Sequence, residues 1–255
     1  MGKAARDLSA RERIKSQRER QRRQDQRRRV ITAAAVAAVV LAVIAGGWFY
    51  VQSGRSETAT EALAPVAAQP DGTVVMAKQG VAKPVVDVYE DFQCPACQAF
   101  EQTSGPTLKN LAAEGQVKVV YHPITIFGNE PTKGNSTRAA SAARCVPDGR
   151  QWLAFHDRLF KEQPSETKPG FALDDLVTWG KDSGVTDPGF ESCVRTQKQA
   201  QAHAAFSKKV LDSGVITKGT PTVMLNGKEL ENSVAFSPDA LRKAVTEAAK
   251  RPGTR

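Results

Sequence analysis

Hydrophobic residues follow different patterns along this chain. Residues 30–51 form one apolar run without a charged side chain. After about residue 72, short β-branched runs predict strands at residues 73–78, 84–92 and 117–123. Residues 135–213 instead predict several helices, broken by segments rich in proline and glycine. The chain therefore combines a long apolar segment, an α/β part and an all-helical part.

The remaining elements lie on either side of the helical part. Residues 96–113 predict a helix with a kink at Gly105-Pro106. Residues 220–230 predict a hairpin, with its turn at Asn226-Gly227. Residues 237–250 predict an amphipathic helix with Ser237 as N-cap and Pro238 at the first helical position. The order is two strands, a helix and a strand, then the helical insertion, then two strands and a helix.

Charge is concentrated at the N-terminus. The net charge is +9, but residues 1–29 hold 12 Lys and Arg against 4 Asp and Glu, which leaves the rest of the chain near neutrality. A nearly neutral body gives no basis for a nucleic-acid surface. We therefore expect no nucleic-acid partner and interpret residues 1–29 as a basic cytoplasmic tail.

Residues 30–51 predict a transmembrane anchor. At about 1.5 Å per residue they span the roughly 30 Å hydrocarbon core of a bilayer. Aromatic residues 48–50 end the run, and Arg27, Arg28 and Arg29 precede it, which places the N-terminus in the cytoplasm and the remainder outside. The alternative is a cleaved signal peptide, because residues 62–64 resemble a cleavage site.

The composition suggests where the domains begin and end. Residues 52–71 are rich in Ala, Ser, Thr, Glu, Gln and Pro, and predict a flexible linker. We assign residues 72–134 to the first part of an α/β domain, residues 135–213 to an inserted helical domain and residues 214–255 to the second part of the α/β domain.

Two cysteines separated by Pro95-Ala96 carry the candidate chemistry. Cys94 and Cys97 begin a predicted helix directly after a strand, which is the thioredoxin arrangement. Spaced i and i+3, they lie on one helix face within reach of a disulfide. Cys94 lies at the positive end of the helix dipole, where the thiolate is favoured. We interpret Cys94 as the nucleophile and Cys97 as the buried resolving thiol.

A zinc half-site and a structural staple are the alternatives. Zinc normally needs four ligands, and the other cysteines, Cys145 and Cys193, are far away in sequence. No ligand spacing is formed by the three histidines, which are His122, His156 and His203. A disulfide across so small a loop as Cys94–Cys97 stabilises little. We interpret Cys145 and Cys193, which would close a long loop, as a structural disulfide, with a second redox relay as the alternative.

Three motifs in this order resemble the DsbA-like disulfide oxidoreductases, in particular membrane-anchored forms of Gram-positive bacteria. The motifs are YEDFQCPACQAFE at 89–101, STRAASAARC with WLAFHDRLF at 136–160, and GTPTVMLNGK at 219–228. The resemblance covers about residues 72–250 and implies a thioredoxin fold with an inserted all-helical domain. It implies dithiol–disulfide exchange with newly exported proteins, without a cofactor, and reoxidation by a membrane partner of the DsbB or VKOR type.

The same resemblance assigns further residues. Thr220-Pro221 matches the cis-proline loop of the fold, whose exposed backbone at Thr220 could pair with an extended substrate. A disulfide in the helical domain of actinobacterial members is similar to a Cys145–Cys193 pair. Many thioredoxin-fold enzymes carry a buried acid six residues before the first cysteine, where this chain has Val88. Glu90 shares the strand face of Val88 and is the candidate proton relay instead.

Three functions remain open on the sequence. The favoured one is an extracytoplasmic oxidase of exported proteins. The others are a reductase or isomerase of the same fold, and a tethered chaperone or binding module without catalysis. We expect a monomer, because no segment resembles the separate dimerisation domain that isomerases of this fold usually carry.

Substituting histidine between the cysteines tests the redox interpretation. The most oxidising enzymes of this fold have a histidine there that helps to stabilise the thiolate, and this chain has Pro95-Ala96. We expect Ala96→His to raise the reduction potential by roughly 30 mV for each 1.4 kcal/mol of added thiolate stabilisation. Equilibration in glutathione buffers measures the potential, and an unchanged value would contradict the argument.

Overall fold

The computed structural model describes residues 63–250. The predicted cytoplasmic tail and transmembrane anchor, residues 1–29 and 30–51, lie outside this part of the chain. Within residues 63–250, no helix has both the length and the apolar character needed to cross a membrane.

A six-stranded mixed sheet forms the centre of the α/β part, with the strand order β1-β2-β4-β3-β5-β6. The strands are β1 Val66–Ala68, β2 Val74–Met76, β3 Val85–Glu90, β4 Lys118–Pro123, β5 Thr222–Leu225 and β6 Lys228–Glu229. Strands β3 and β4 run parallel, and every other neighbouring pair is antiparallel. Burial alternates along β3, so that Val86, Val88 and Glu90 share its buried face.

Nine helices accompany this sheet in the described residues. They are α1 Pro95–Thr103, α2 Gly105–Ala113, α3 Thr132–Ala143, α4 Gly149–Lys161, α5 Leu173–Asp182, α6 Phe190–Arg195, α7 Ala200–Asp212, α8 Asn232–Ala235 and α9 Pro238–Lys250. Helices α3 to α7 lie between β4 and β5. The observed insertion therefore runs from residue 132 to 212, close to the predicted range 135–213.

The predicted kinked helix is two helices in the structure. Ser104 separates α1 from α2, and Pro106 lies in the first turn of α2, where its missing N–H costs nothing. The Ser104 hydroxyl donates a 2.7 Å hydrogen bond to the Ala235 carbonyl. The break therefore also connects the helix pair to α8, an element that the sequence did not predict.

Both predicted turn and cap signals have the expected geometry. Asn226 and Gly227 have positive φ angles of 51° and 80°, as a two-residue hairpin turn requires. The Ser237 hydroxyl accepts a 3.4 Å hydrogen bond from the Ala240 N–H in the first turn of α9.

The predicted linker, residues 52–71, is wrong for its described part. Strand β1 lies within it and pairs antiparallel with β2, and Ala64 is buried. On its other side, β1 approaches α4 so closely that a Cβ on Gly149 would lie 2.1 Å from the Val66 carbonyl oxygen. This strand is short and lies at the sheet edge, so backbone contacts hold it and no alternating pattern marks it in the sequence.

A disulfide closes the helical insertion. Cys145, just after α3, is joined to Cys193 in α6, with the two Cα atoms 5.9 Å apart and a sequence separation of 48. The bond ties the end of α3 to α6 across the two intervening helices, α4 and α5.

Removing this disulfide should destabilise the protein. We expect Cys145→Ala with Cys193→Ala to lower the free energy of unfolding by about 2–4 kcal/mol, because the unfolded chain loses a long closed loop. Urea denaturation followed by circular dichroism measures the change. Cys94→Ala with Cys97→Ala is the control, since its loop is small, and an equal loss in both variants would contradict a structural role. Loss of disulfide exchange in the first variant would instead support the redox-relay alternative.

Candidate active site

Cys94 and Cys97 lie where β3 leads into α1. Cys94 has an extended backbone and is the N-cap of α1, and Pro95 takes the first helical position. Pro95 and Ala96 are exposed, whereas Cys94 is only 7% exposed and Cys97 is fully buried. Both thiols are free in this structure, which therefore shows the reduced pair.

The pKa values of the two thiols are shifted in opposite directions. A hydrogen bond from Cys97 lowers the pKa of Cys94 to about 6 against the effect of burial, with further help from the N–H groups of Cys97 and Ala96. Burial raises the pKa of Cys97 well above its usual value, and its hydrogen bond to Cys94 raises it further. Near neutral pH the pair therefore consists of a Cys94 thiolate and a Cys97 thiol, which is an asymmetric dithiol suited to exchange.

The loop before β5 lies against Cys94. The Thr220-Pro221 peptide bond is cis, and the Cys94 Sγ lies 3.2 Å from the Thr220 carbonyl oxygen, to which the thiol form donates. A cavity of about 110 Å³ opens beside this loop. Its lining includes Ala96, Lys218, Thr220, Pro221, Glu229 and Phe236. The predicted substrate-binding pair thus lies between the cysteines and an open cavity.

Glutamine side chains fasten the active-site loop to the insertion. The Gln163 amide donates to the carbonyls of Phe92 at 2.8 Å and Cys94 at 3.0 Å. Gln93 donates to the Pro164 carbonyl at 2.9 Å in return. Sequence reasoning missed these residues, because a glutamine that bonds a distant backbone leaves no periodic signal. The segment directly after α4 therefore helps to hold the backbone that carries Cys94.

Glu90, the predicted proton relay, lies in a buried ion pair. Its Oε1 is 2.8 Å from His156 Nε2, and both side chains are fully buried. Within the described residues the hydrogen-bond partner of Glu90 is thus His156 rather than a cysteine. Glu101, on α1, completes a buried group of three, and neither of its carboxyl oxygens has a hydrogen-bond partner in residues 63–250.

Burial and neighbouring charges set the protonation states of Glu101 and His156. Burial raises the pKa of Glu101 to about 8, and the negative charge of Glu90 adds to the effect. Burial disfavours the charged form of His156, but contacts with Glu90 and Asp157 outweigh it and raise the pKa to about 10. Near neutral pH, His156 is therefore an imidazolium and Glu101 a neutral acid. An imidazolium has no lone pair for a metal, so an ion pair describes this group better than a metal site.

Asp91 is the buried acid nearest to the cysteines in sequence, and sequence reasoning missed it. Its backbone N–H donates to Cys97 Sγ at 3.5 Å. Its carboxylate accepts hydrogen bonds from the N–H groups of Gln93 and Ile126, both at 2.9 Å, and from the Ser136 hydroxyl. Only its position at the end of β3, directly before the cysteine loop, could have indicated such a role.

The sheet order, the dithiol at a helix N-terminus and the cis-proline loop together define a thioredoxin-fold protein with an inserted helical domain. A family model described as Thioredoxin matches residues 76–247. The chain belongs to that family, and the predicted thioredoxin fold is confirmed for the described residues. Among solved structures it is similar to oxidised DsbA of Mycobacterium tuberculosis, with 29% sequence identity and a TM-score of 0.58. That match covers 74% of this chain and 95% of the other.

Two curated relatives show similarity over part of their length. A putative protein-disulfide oxidoreductase of Rickettsia bellii is 27% identical over 172 residues, which are 65% of this chain and 62% of the relative. The serine/threonine-protein kinase PknE of Mycobacterium tuberculosis is 26% identical over 158 residues, which are 58% of this chain and 28% of the kinase. The chain thus spans less than two thirds of both relatives.

The raised pKa of Glu101 predicts a pH dependence of stability. A carboxyl group whose folded-state pKa lies above its ordinary value stabilises the fold at low pH, and that contribution is lost as pH rises from about 4.5 to about 8. In the unmodified protein the free energy of unfolding should therefore fall as pH rises from 5 to 8. We expect Glu101→Gln to make this slope smaller, by up to about 1.4 kcal/mol per pH unit.

Urea denaturation at several pH values measures this slope. Glu114→Gln is the control, because Glu114 pairs with Arg242 at the surface. Equal slopes in Glu101→Gln and the unmodified protein would show that Glu101 is ionised in the fold.

Proposed function

We propose that this protein is a thiol–disulfide oxidoreductase that oxidises cysteine pairs of exported proteins through a Cys94–Cys97 disulfide. The observation that carries the proposal is the asymmetry of the pair, in which Cys94 favours the thiolate and buried Cys97 favours the thiol. The similarity to solved DsbA supports it.

The exchange proceeds in two steps. A substrate thiolate attacks the Cys94 sulfur of the oxidised pair, the bond between Cys94 and Cys97 breaks, and its electron pair goes to the Cys97 sulfur, which takes up a proton. A second substrate thiolate then attacks the substrate sulfur of the mixed disulfide and releases the Cys94 thiolate. Two electrons pass from the substrate dithiol to the protein, and the substrate gains a disulfide.

The acidity of Cys94 favours this direction. A thiol with a pKa of about 6 is a good leaving group, and a stabilised thiolate stabilises the reduced protein. A protein whose reduced form is stabilised gives its disulfide away. The burial of Cys97 agrees with this direction, because the released thiol stays protonated and does not return readily to attack the mixed disulfide.

The cis-proline loop supplies the substrate contact in this proposal. An extended peptide next to Thr220 can hydrogen-bond to the backbone there, while its cysteine reaches the Cys94 Sγ, 3.2 Å from the Thr220 carbonyl oxygen. The neighbouring cavity offers a place for a side chain close to the substrate cysteine.

We place the domain outside the cytoplasm, on a membrane anchor formed by residues 30–51. The positive charge of residues 1–29 supports this orientation. The Cys145–Cys193 disulfide supports it as well, because such bonds persist in oxidising compartments. A membrane protein of the DsbB or VKOR type would then accept the electrons and reoxidise Cys94 and Cys97.

The reduction potential of the full-length chain, purified in detergent, tests the function. We expect a value near or somewhat below the roughly −120 mV of DsbA, together with catalysis of disulfide formation in reduced ribonuclease. Cys94→Ser should abolish that catalysis, and continued activity would exclude the dithiol mechanism. A potential near the roughly −270 mV of thioredoxin would make the protein a reductase and refute the oxidase proposal.

A further inference from the structure

A chain of buried hydroxyl groups connects Asp91 to the helical insertion. The Ser136 hydroxyl, on α3, contacts an Asp91 carboxylate oxygen and also lies 3.1 Å from the Thr125 hydroxyl. Thr125 Oγ1 in turn lies 2.8 Å from Nε2 of His203, on α7. Asp91 and Ser136 are fully buried, and His203 is 1% exposed. This series of hydrogen bonds thus runs from the cysteine loop through two hydroxyl groups to an imidazole.

Ser136 has one hydroxyl hydrogen and two acceptors. It can donate to Asp91 when that carboxyl group is ionised, or to Thr125 when Asp91 is protonated and itself donates to Ser136. Ser207 fixes the far end of the chain, because its Oγ accepts from the Thr125 N–H at 3.0 Å and lies 3.3 Å from His203 Nε2. Both charge states of Asp91 are therefore satisfied by turning hydroxyl groups, without movement of the backbone.

Asp91 is also coupled to the reacting sulfurs. Its N–H donates to Cys97 Sγ, and the carboxylate holds the N–H groups of Gln93, directly before Cys94, and Ile126. We propose that Asp91 is a positioning residue of the Cys94–Cys97 pair, and that its negative charge, held by the hydroxyl chain, opposes ionisation of Cys94. The inference rests on the proposed function, in which the Cys94 thiolate is the leaving group.

The acidities fit this coupling. Burial raises the pKa of Asp91 to about 6 against its three hydrogen-bond donors, and the charge of Cys94 adds to the rise. The pKa of Cys94 is about 6 as well. Two like charges that titrate in the same range ionise in two coupled steps, each suppressing the other. Formation of the Cys94 thiolate should therefore draw a proton onto Asp91.

The other titratable groups near these hydroxyl groups do not supply the negative charge that Asp91 places beside Cys94. Burial lowers the pKa of His203 to about 4, and Arg144 lowers it further, so the imidazole is neutral near pH 6. Glu90, the neighbour of Asp91 in sequence, is paired with His156. At the start of α1, Cys97 accepts a hydrogen bond from the Asp91 N–H, and the N-cap residue Cys94 is the titratable group whose charge raises the pKa of Asp91.

Titration of the Cys94 thiolate tests the inference. The thiolate absorbance near 240 nm would be followed with pH in the reduced full-length protein, with the Cys94→Ser spectrum subtracted. We expect Asp91→Asn to lower the midpoint by about half a unit to one pH unit, because a like charge has been removed. Damage to the loop would act in the opposite direction, raising the midpoint towards the roughly 8.5 of a free thiol.

Ser136→Ala gives a second test that keeps Asp91 and does not depend on the folding of Asp91→Asn. The loss of one donor makes the carboxylate less stable, so Asp91 is more often neutral and the Cys94 midpoint should fall by a smaller amount. Ser141→Ala is the matched control, since Ser141 is another buried serine of α3 and its hydroxyl has no partner in the described residues. Asp87→Asn, on the other face of β3, is the control for the carboxylate.

The outcomes separate the two proposals. A midpoint that falls in Asp91→Asn and Ser136→Ala but not in the controls supports the inference. An unchanged or raised midpoint in both variants overturns it, and so does an equal fall in the controls. Failure of the unmodified protein to oxidise ribonuclease would refute the proposed function, whereas the titration would still report whether Asp91 and Cys94 are coupled.

Discussion

The fixed backbone at the start of α1 is the constraint on which the active site depends. A Cys94 thiolate is stabilised by donors that are mostly main-chain groups and the neighbouring thiol, so a small displacement of this turn would remove several of them together. Gln163 and Asp91 oppose such a displacement from two sides, one by donating to the carbonyls of Phe92 and Cys94 and the other by accepting from the N–H of Gln93.

The inserted helices therefore contribute residues to the active site. Helix α4 provides His156 to the buried ion pair and ends just before Gln163. Helix α3 provides Ser136, and α7 provides His203. The Cys145–Cys193 disulfide joins the end of α3 to α6 and so fixes this insertion independently of the redox state of the catalytic pair.

Local signals predicted much of this arrangement. The spacing of Cys94 and Cys97, the position of Pro95 and the Thr-Pro step before β5 are patterns of neighbouring residues, and they are readable without a structure. Glu101, Asp91 and Gln163 were missed because their roles come from contacts across long stretches of chain. The edge strand β1 was missed for a related reason, since its hydrogen bonds are main-chain bonds that any sequence can make.

The burial of Cys94 has a consequence for the order of events in a substrate's life. With only 7% of the residue exposed beside the cis-proline loop, Cys94 is more open to a narrow, extended segment than to the surface of a folded domain. A cysteine already packed inside a finished domain cannot present itself in this way. A protein of the proposed function would thus act most readily on cysteines in segments that are still extended, before the substrate has finished folding.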